Sequence, residues 1–269
     1  MSSPAKAIDA AADVCFKASL MRSRMFPHLG AMLHYQIGGV ADGPTIVLLH
    51  GGLGSIQDFA PLLPRLLQRF RVVAVDSRGQ GCSTLGQASL TYAQLAEDVL
   101  HILRAAGVDR YSLLGFSDGG TVAYRLGIEQ PGVERVITIG AQWHVDSLGD
   151  VREIYAAVNV DLIRKQMPDQ FASYSFTNPE PNLSKLADQL KAMWLDTSEA
   201  GYPNEAIGRI RVPVLAMRGD NDPLFSATDL KALEHRVPTA QLRTIAGAAH
   251  EAMREQPDLV WNAMSEFWP

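Results

Sequence analysis

A serine between two glycines lies in the pentapeptide Gly-Phe-Ser-Asp-Gly at residues 115–119. An apolar segment precedes it and a helix-like segment follows, the strand–turn–helix context in which a G-x-S-x-G serine acts as a nucleophile. The glycines allow a tight turn because neither carries a Cβ, and the start of the helix directs free amides towards an oxyanion. The pattern predicts that Ser117 is the nucleophile of an acyl transfer, although the pentapeptide alone also occurs as an ordinary glycine-rich turn.

Acyl transfer also needs a base that accepts the serine proton, and the chain has seven histidines. Only His235 and His250 follow the penultimate predicted strand. His235 lies in a charged helical segment and is expected to be solvated. His250 ends a loop of small residues at 247–249, which would let its ring reach back over the sheet. His250 is therefore predicted to be the base.

The acid that orients this base is expected in the turn that follows the strand at 214–217. Asp220 and Asp222 both lie in that turn. Asp222 is favoured, because the other carboxylate more plausibly shapes the turn itself. Asp146, which follows an earlier strand, is an alternative. The simplest reading of the Asp pair is turn chemistry alone, since Gly, Asp, Asn and Pro all favour turns.

Donors for the oxyanion are expected in the segment His-Gly-Gly-Leu-Gly at residues 50–54, which follows an apolar strand. Its glycines let backbone amides approach a substrate closely. The amide of Gly52 or Leu53 would supply one donor and the amide of Asp118 the other, each typically contributing about 3 kcal/mol to the transition state. His50 is predicted to be a structural hydrogen-bonding residue rather than a second base.

Strands and helices alternate along the chain, which indicates an α/β fold with a mostly parallel sheet and helices on both faces. Ligands bind such sheets at the carboxyl ends of the strands, where each candidate residue is placed. Strands are predicted at 26–28, 31–38, 45–49, 72–75, 111–114, 136–139, 214–217 and 242–245, and helices at 59–68, 92–106, 118–130, 227–236 and 255–267.

The alternation stops at residues 142–207, where the sequence shows helix-like stretches at 150–165, 168–174 and 182–195 but no clear strand. This segment is predicted to form a helical cap over the strand ends, and the alternative is a long connection. The remaining chain divides into an N-terminal extension at 1–25 and a core formed by 26–141 and 208–269.

Composition excludes several classes of protein. The 269 residues carry a formal net charge of −5 and show no Lys/Arg cluster, which argues against nucleic-acid binding. No apolar run approaches the ~18 residues of a membrane helix, and the N-terminus lacks the apolar region of a secretory signal. The two cysteines lack metal-ligand spacing. We expect a cytoplasmic monomer or homodimer with no metal, cofactor or membrane partner.

Taken together, five segments resemble the α/β-hydrolase superfamily in content and order. They are HGGLG at 50–54, DSRGQGCS at 76–83, GFSDGG at 115–120, GDND at 219–222 and AGAAHEAMREQP at 246–257. The resemblance implies an eight-stranded sheet with an antiparallel second strand, a helical cap and a Ser117–Asp222–His250 triad. A serine nucleophile excludes the haloalkane-dehalogenase and epoxide-hydrolase branches, which have aspartate there.

Within the superfamily, the segment SLLGFSDGG is similar to the valacyclovir-hydrolase (biphenyl-hydrolase-like) esterases. That resemblance implies that Asp118 binds a substrate ammonium, while the alternative is that Asp118 only charges the start of its helix. Aromatic residues of the cap could line an acyl pocket, with most of them expected in the cap core. Trp143 and Trp194 are the predicted substrate contacts, and the other candidates are Tyr155, Phe171, Tyr174 and Phe176.

These features predict a cofactor-independent serine hydrolase that cleaves small carboxylic esters through an acyl-enzyme. Two alternatives remain open. One is hydrolysis of a carbon–carbon bond of the meta-cleavage type, which resembles this chain in triad and cap but usually has another residue after the serine. The other is a hydrolase-fold receptor or scaffold with little turnover.

Overall fold

The computed structural model describes residues 21–149 and 151–268, which form one eight-stranded sheet in the order β1-β2-β4-β3-β5-β6-β7-β8. Strand β2 pairs antiparallel with β1 and β4, and every other neighbouring pair is parallel. The strands are β1 (Met21–His28), β2 (Ala31–Gly39), β3 (Thr45–Leu49), β4 (Arg71–Val75), β5 (Tyr111–Phe116), β6 (Val133–Ile139), β7 (Val214–Gly219) and β8 (Ala240–Ile245).

Helices connect the parallel strands and fill the interval between β6 and β7. They are α1 (Leu63–Arg69), α2 (Tyr92–Ala105), α3 (Asp118–Glu129), α4 (Val151–Ala157), α5 (Val160–Gln166), α6 (Pro168–Thr177), α7 (Leu183–Trp194), α8 (Ala227–Arg236), α9 (Ala252–Glu255) and α10 (Pro257–Phe267). Short 3-10 turns occupy Ile56–Phe59, Val145–Leu148 and Asn204–Arg209. None of the helices in these described ranges is long and apolar enough to cross a bilayer.

The central strands are continuously apolar because both faces of the sheet are covered. In β3, Val47 and Leu49 pack into one core, while Ile46 and Leu48 pack into a second core on the opposite face. Side chains alternate across a strand, so this division places helices on both sides of the sheet. The predicted fold class, including the antiparallel second strand, is confirmed.

The first strand is longer than predicted. It begins at Met21 rather than at residue 26, so the predicted extension 1–25 overlaps it, and residues 1–20 lie outside the described chain. The segment Met21–His28 carries Arg, Ser and Pro and is mostly exposed, as an edge strand can be. The alternation that marks a half-buried strand is therefore weak here.

Two predicted helices are interrupted by proline. The segment predicted as one helix at 59–68 is a 3-10 turn at Ile56–Phe59 followed by α1, which carries Pro64 in its first turn. The segment at 255–267 divides into α9 and α10, and Pro257 opens α10. Proline fits the first turn of a helix, where its missing N–H costs no hydrogen bond, and so marks a new start.

Helices α4 to α7 occupy the segment predicted as a cap, and no strand occurs in its described part. The predicted helix at 150–165 divides because the Asn159 side chain accepts a hydrogen bond from the Leu162 amide at 3.0 Å and caps α5. The far end of α6 is tied to the core by Asn178, whose amide donates to the carbonyls of Gly81 (3.0 Å) and Ser83 (2.9 Å).

Candidate active site

Ser117 lies on a strained turn between β5 and α3. Its backbone has φ +50° and ψ −118°, a conformation that non-glycine residues adopt rarely. The flanking glycines are required by close packing. A Cβ on Gly119 would lie 2.0 Å from the carbonyl oxygen of Leu49, and a Cβ on Gly115 would lie 2.3 Å from the carbonyl oxygen of Gly119. The turn therefore presents Ser117 at the carboxyl end of the central strand.

The structure brings together Ser117, Asp222 and His250, of which the first and last are 133 positions apart in the sequence. The Nε2 atom of His250 lies 3.0 Å from the Oγ atom of Ser117. The Nδ1 atom of the same ring lies 3.0 Å and 3.1 Å from the two carboxylate oxygens of Asp222. When Nδ1 carries the proton and donates it to the carboxylate, Nε2 has a lone pair that accepts a hydrogen bond from the Ser117 hydroxyl.

The carboxylate of Asp222 is held in its charged form. Burial alone would raise the pKa of Asp222, but the hydrogen bond and charge of His250, with two backbone amides, lower that pKa below its ordinary value. These amides belong to Leu224 and Phe225 and donate to Oδ1 at 2.9 Å and 3.1 Å. A fixed anion behind an imidazole can stabilise the imidazolium form of the ring.

Three further residues position the His–Asp pair, and sequence reasoning missed all of them. Arg218 is buried and donates to the carbonyls of Asp222 (3.2 Å) and Phe225 (2.8 Å). Glu255 accepts the amide of Ala249 at 2.7 Å, which fixes the loop just before the ring. A Cβ on Gly140 would lie 2.9 Å from the His250 ring. Of the three, only Gly140 could have been found from the sequence, as a glycine at the end of a strand.

The other candidate acids and bases lie in different settings. Asp220 accepts the amides of Gly247 (3.0 Å) and Ala248 (3.1 Å), so it shapes the turn, as the sequence suggested. The side chain of Asp146 is 86% exposed, and its histidine neighbour is His144 at 3.9 Å. His235 is exposed on α8, as expected for a solvated side chain.

His50 has a structural hydrogen-bonding pattern. Its Nδ1 atom lies 2.7 Å from the carbonyl oxygen of Gly51, and its Nε2 atom accepts the amide of Ser77 at 2.9 Å. Both ring nitrogens are thus engaged with the backbone, and the ring joins the loop after β3 to the loop after β4. This pattern matches the role predicted for His50.

The amides proposed for the oxyanion are free to donate. Within residues 21–149 and 151–268, the amides of Gly52, Leu53 and Asp118 form no hydrogen bond. Leu53 has φ +59°, a second strained backbone position in the loop facing Ser117. A Cβ on Gly52 would lie 2.6 Å from a carboxylate oxygen of Asp118, so only glycine fits there. Strain on both sides of one space is typical of a site that holds a ligand.

The side chain of Asp118 joins the core to the cap. It accepts a hydrogen bond from the Tyr92 hydroxyl at 2.8 Å, and the indole Nε1 of Trp194 lies 2.9 Å from both of its oxygens. Burial raises the pKa of Asp118, although the donors on Trp194 and Tyr92 and the nearby histidines partly offset that rise. Sequence placed Asp118 beside the nucleophile but showed no sign of these two partners.

A cavity of about 180 Å³ opens beside the nucleophile. Ser117 and His250 line it, together with Trp194 and with side chains of the helices that follow β6. The lining is mainly apolar, which suits a hydrocarbon group rather than a strongly polar one. The apolar lining residues from α4 and α5 and the adjoining segments are Ile154, Tyr155, Val158, Leu162, Ile163 and Met167.

Of the two tryptophans predicted to contact substrate, only Trp194 lines this cavity. Trp143 is buried elsewhere and donates its indole N–H to the carbonyl of Asp229 at 3.1 Å, so it packs the cap against α8. Tyr155 stacks on Trp194 with ring centroids 4.9 Å apart and also lines the cavity. Phe176 is 92% exposed and contributes nothing to it.

A second, more polar cavity of about 300 Å³ adjoins the first and shares Leu53 and Glu251 with it. Its wall includes Asp58, the pKa of which is raised chiefly by burial. Arg254 lies 3.8 Å from Asp58 and 3.6 Å from Glu251, so a cation sits between two acids. Solvent or a polar substituent can therefore occupy the space next to the apolar cavity.

Comparison with known proteins places this arrangement in a family. A model described as the alpha/beta hydrolase family matches residues 46–263. The chain is 29% identical to 3-oxoadipate enol-lactonase 1 of Acinetobacter baylyi over 254 residues, which covers 88% of this chain and 93% of that protein. It is 26% identical to esterase YbfF of Escherichia coli over 250 residues, covering 84% and 93%.

Among solved structures, the chain resembles carboxylesterase CesB (YbfK) of Bacillus subtilis with a TM-score of 0.72 and 23% identity, covering 97% of each chain. At that identity the likeness concerns the fold alone. The closer resemblance to valacyclovir-hydrolase esterases stays a prediction, since these relatives carry other names. Because the family model spans most of the chain, the protein belongs to the α/β-hydrolase family.

Proposed function

We propose that this protein is a serine hydrolase that cleaves small carboxylic esters through an acyl-enzyme. The observation that carries the proposal is the chain of hydrogen bonds that joins Ser117 to His250 and His250 to Asp222. Ser117 and His250 line an apolar cavity at one end of this chain. The names of its relatives, which include an esterase and an enol-lactonase, support hydrolase chemistry for the chain.

The proposed reaction proceeds in two halves. The Nε2 atom of His250 takes the proton of Ser117 as Oγ attacks the carbonyl carbon, and the free amides of Asp118 and of Gly52 or Leu53 stabilise the oxyanion. His250 then gives that proton to the departing alcohol oxygen, leaving an acyl group on Ser117. A water molecule, deprotonated by the same imidazole, attacks the acyl carbon. His250 then returns that proton to Oγ of Ser117 as the bond between the acyl carbon and Oγ breaks and the acid leaves.

The cavity limits the size of the group next to the carbonyl. Its volume of about 180 Å³ lies below the roughly 300–1,000 Å³ of pockets for drug-sized ligands. Its lining is mainly apolar and includes the aromatic side chains of Phe116, Tyr155 and Trp194. We infer that one side of the substrate is a short aliphatic or small aryl group. The adjoining polar cavity suits the group on the other side of the ester bond.

The test is pre-steady-state kinetics with p-nitrophenyl butyrate. An acyl-enzyme predicts a burst of nitrophenol close to one equivalent, and Ser117→Ala should abolish both the burst and labelling by a fluorophosphonate. Ser184→Ala, an exposed position at the start of α7, is the matched control and should keep both. Turnover by Ser117→Ala at the native rate would overturn the proposal.

Three substrates separate the alternatives. The ester should be turned over faster than a dienoic diketone, whereas faster cleavage of the diketone would indicate a carbon–carbon bond hydrolase. An enol-lactone should be included because one relative is named for that substrate. Labelling of Ser117 with no steady-state turnover of any of the three would indicate a receptor or scaffold.

A further inference from the structure

Two histidines and a glutamate meet where the first strand packs against α2. His28 ends β1, while Glu97 and His101 lie one turn apart on α2. One ligand atom from each residue lies within 4.8 Å of the others, and the Nε2 atom of His101 is 3.8 Å from a Glu97 oxygen. None of the three lines the active-site cavity.

His28 has an unusual unpaired atom. Its Nε2 is buried and has no hydrogen-bond partner among the described residues. The carboxylate of Asp98 lies 3.9 Å away but is already occupied by Arg78, at 2.6 Å and 2.8 Å, and by Gln94 at 3.0 Å. A buried polar atom without a partner reduces stability unless a ligand or water satisfies it.

The two imidazole rings lie against each other beside an aromatic ring. The rings of His28 and His101 have centroids 4.1 Å apart and an interplanar angle of 32°, and the Phe26 ring lies 6.2 Å from His101 and 6.5 Å from His28. A neutral imidazole has the lone pair that a metal ion requires.

We propose that His28, Glu97 and His101 form a binding site for a divalent transition-metal cation such as Zn²⁺. Imidazole nitrogens with a carboxylate select zinc, nickel, cobalt or copper over magnesium or calcium. Three protein ligands leave a position for water. Ligands of a tetrahedral zinc lie roughly 3.4 Å apart, as follows from bonds of about 2.1 Å. Ligand atoms now up to 4.8 Å apart must approach by as much as about 1.4 Å, and the exposed side chain of Glu97 has room to move.

The metal would fasten the edge of the sheet. Strand β1 is mostly exposed and lies at the edge of the sheet, where it pairs with β2 on one side. A metal bridging His28 to two residues of α2 would hold the end of this strand against the helix that crosses behind it. The sequence predicted no metal site because its two cysteines lack metal-ligand spacing. The ligands proposed here come from distant segments and form no recognisable metal-binding motif.

A rival cluster, His34, Asp76 and Cys82, also groups ligand atoms within 4.8 Å. Its members are already engaged. The Nδ1 atom of His34 lies 2.7 Å from Asp76, which also accepts the amides of Ile56 (2.8 Å) and Cys82 (2.9 Å). Burial and the charge of Asp76 raise the pKa of the Cys82 thiol, which disfavours the thiolate that would bind metal.

The experiment titrates the chelator-treated, tag-free protein with Co²⁺ by visible absorbance and with Zn²⁺ by calorimetry. We expect one equivalent to bind, and the melting temperature to rise by about 5 °C when free Zn²⁺ exceeds its dissociation constant about 100-fold. His101→Ala and Glu97→Gln should each weaken binding at least about tenfold. His235→Ala, an exposed histidine on α8, should bind like the native chain.

The outcomes distinguish the two clusters. Because His28 is largely buried, the more exposed positions 97 and 101 carry the test, and circular dichroism of each variant checks folding. Loss of binding in Cys82→Ser but not in His101→Ala would overturn the proposal in favour of the rival cluster. Absence of stoichiometric binding by the native chain at about 1 mM Zn²⁺ would also overturn it.

Discussion

Two buried carboxylates flank Ser117, and their settings differ. Asp222 is 6% exposed and Asp118 is 7% exposed, so the exposed fractions of the two residues do not distinguish them. Even so, the pKa of Asp222 is lowered, whereas burial raises the pKa of Asp118. The donors of the two carboxylates also differ. Asp222 faces an imidazole that can become a cation, whereas Asp118 is held by the neutral hydroxyl of Tyr92 and the neutral indole of Trp194.

The contrast separates a carboxylate that would support the proposed catalytic base from one that holds structure. A carboxylate that must stabilise an imidazolium needs to stay charged, and its backbone and histidine donors favour this. A carboxylate that anchors a cap needs only to accept hydrogen bonds. We therefore propose the second role for the Asp118 side chain, and leave oxyanion binding to its amide.

The largest loss of activity is expected at Asp222, the acid of the proposed triad. Asp222→Asn leaves the volume nearly unchanged but removes the counter-charge and can place an NH₂ donor beside Nδ1. That donor favours the tautomer with the proton on Nε2, which cannot accept the Ser117 proton. We expect kcat to fall about 10⁴-fold, as in other triads. Steady-state kinetics on the nitrophenyl ester measure this loss.

Asp220→Asn is the matched control, because Asp220 lies two residues earlier in the same turn and accepts the amides of Gly247, Ala248 and the Asn221 side chain rather than a histidine. Its replacement should leave kcat within about tenfold of native, since one acceptor oxygen remains. A reversed order, with Asp220→Asn the more damaging variant, would exchange the roles of the two acids.

The same comparison shows what sequence can and cannot predict. The residues of the acid loop were found because each follows a strand in a parallel sheet, and parallel strands bring their carboxyl ends together. The strands at 45–49 and 72–75 were found because apolar runs mark buried strands. Residues 21–25 were missed, since an exposed edge strand has no such pattern.

The partners of Asp118 could not be predicted from the sequence, for a different reason. Tyr92 is 26 positions away and Trp194 is 76 positions away, and neither follows a recognisable motif. Their meeting depends on how α7 of the cap packs on the core, which local pattern does not encode. The exclusion of Trp143 from the cavity has the same origin, because two tryptophans in one segment look equivalent until the helices are placed.

A medium effect is expected at Asp118. In Asp118→Asn a neutral amide replaces the carboxylate that accepts hydrogen bonds from Tyr92 and Trp194. The negative charge of the carboxylate, which strengthens each of these hydrogen bonds by about 1 kcal/mol, is lost. We expect kcat/KM to fall about tenfold, and to the same extent for an aminoacyl ester as for its deaminated analogue. A selective loss on the aminoacyl ester would restore the ammonium-binding role for the side chain.

The pH dependence of the free energy of unfolding also distinguishes Asp118 from Asp222. Burial raises the pKa of Asp118, so between its ordinary value of about 4 and the raised value the folded state binds this proton more tightly than the unfolded chain does. Rising pH through that range therefore lowers the free energy of unfolding. Asp222 acts in the opposite direction, since its lowered pKa contributes stability above about pH 4 that is lost as the pH falls.

Denaturant unfolding of native, Asp118→Asn and Asp222→Asn chains between pH 4 and 8 measures this. The stability advantage of the native chain over Asp118→Asn should shrink as the pH rises, whereas its advantage over Asp222→Asn should stay level. Parallel curves for the two variants would mean that the two carboxylates share one environment, against the contrast drawn from their donors.

The smallest effect on activity is expected at the cap. Trp194→Phe keeps an aromatic ring against Tyr155 and removes the indole N–H that reaches both oxygens of Asp118. Because Tyr92 and the charge of Asp118 remain, we expect kcat/KM to fall only about threefold, with a loss of about 1–3 kcal/mol in stability for the donor removed from a buried carboxylate.

Trp143→Phe removes the equivalent N–H from the other buried tryptophan, whose acceptor is the carbonyl of Asp229 outside the cavity. Its stability should fall by about 1 kcal/mol, since a neutral hydrogen bond is lost, while kcat/KM stays at the native value. Equal losses of activity in the two variants would mean that the cap responds to any weakening of its packing. A loss confined to Trp194→Phe would place the sensitivity at the contact between the cap and Asp118.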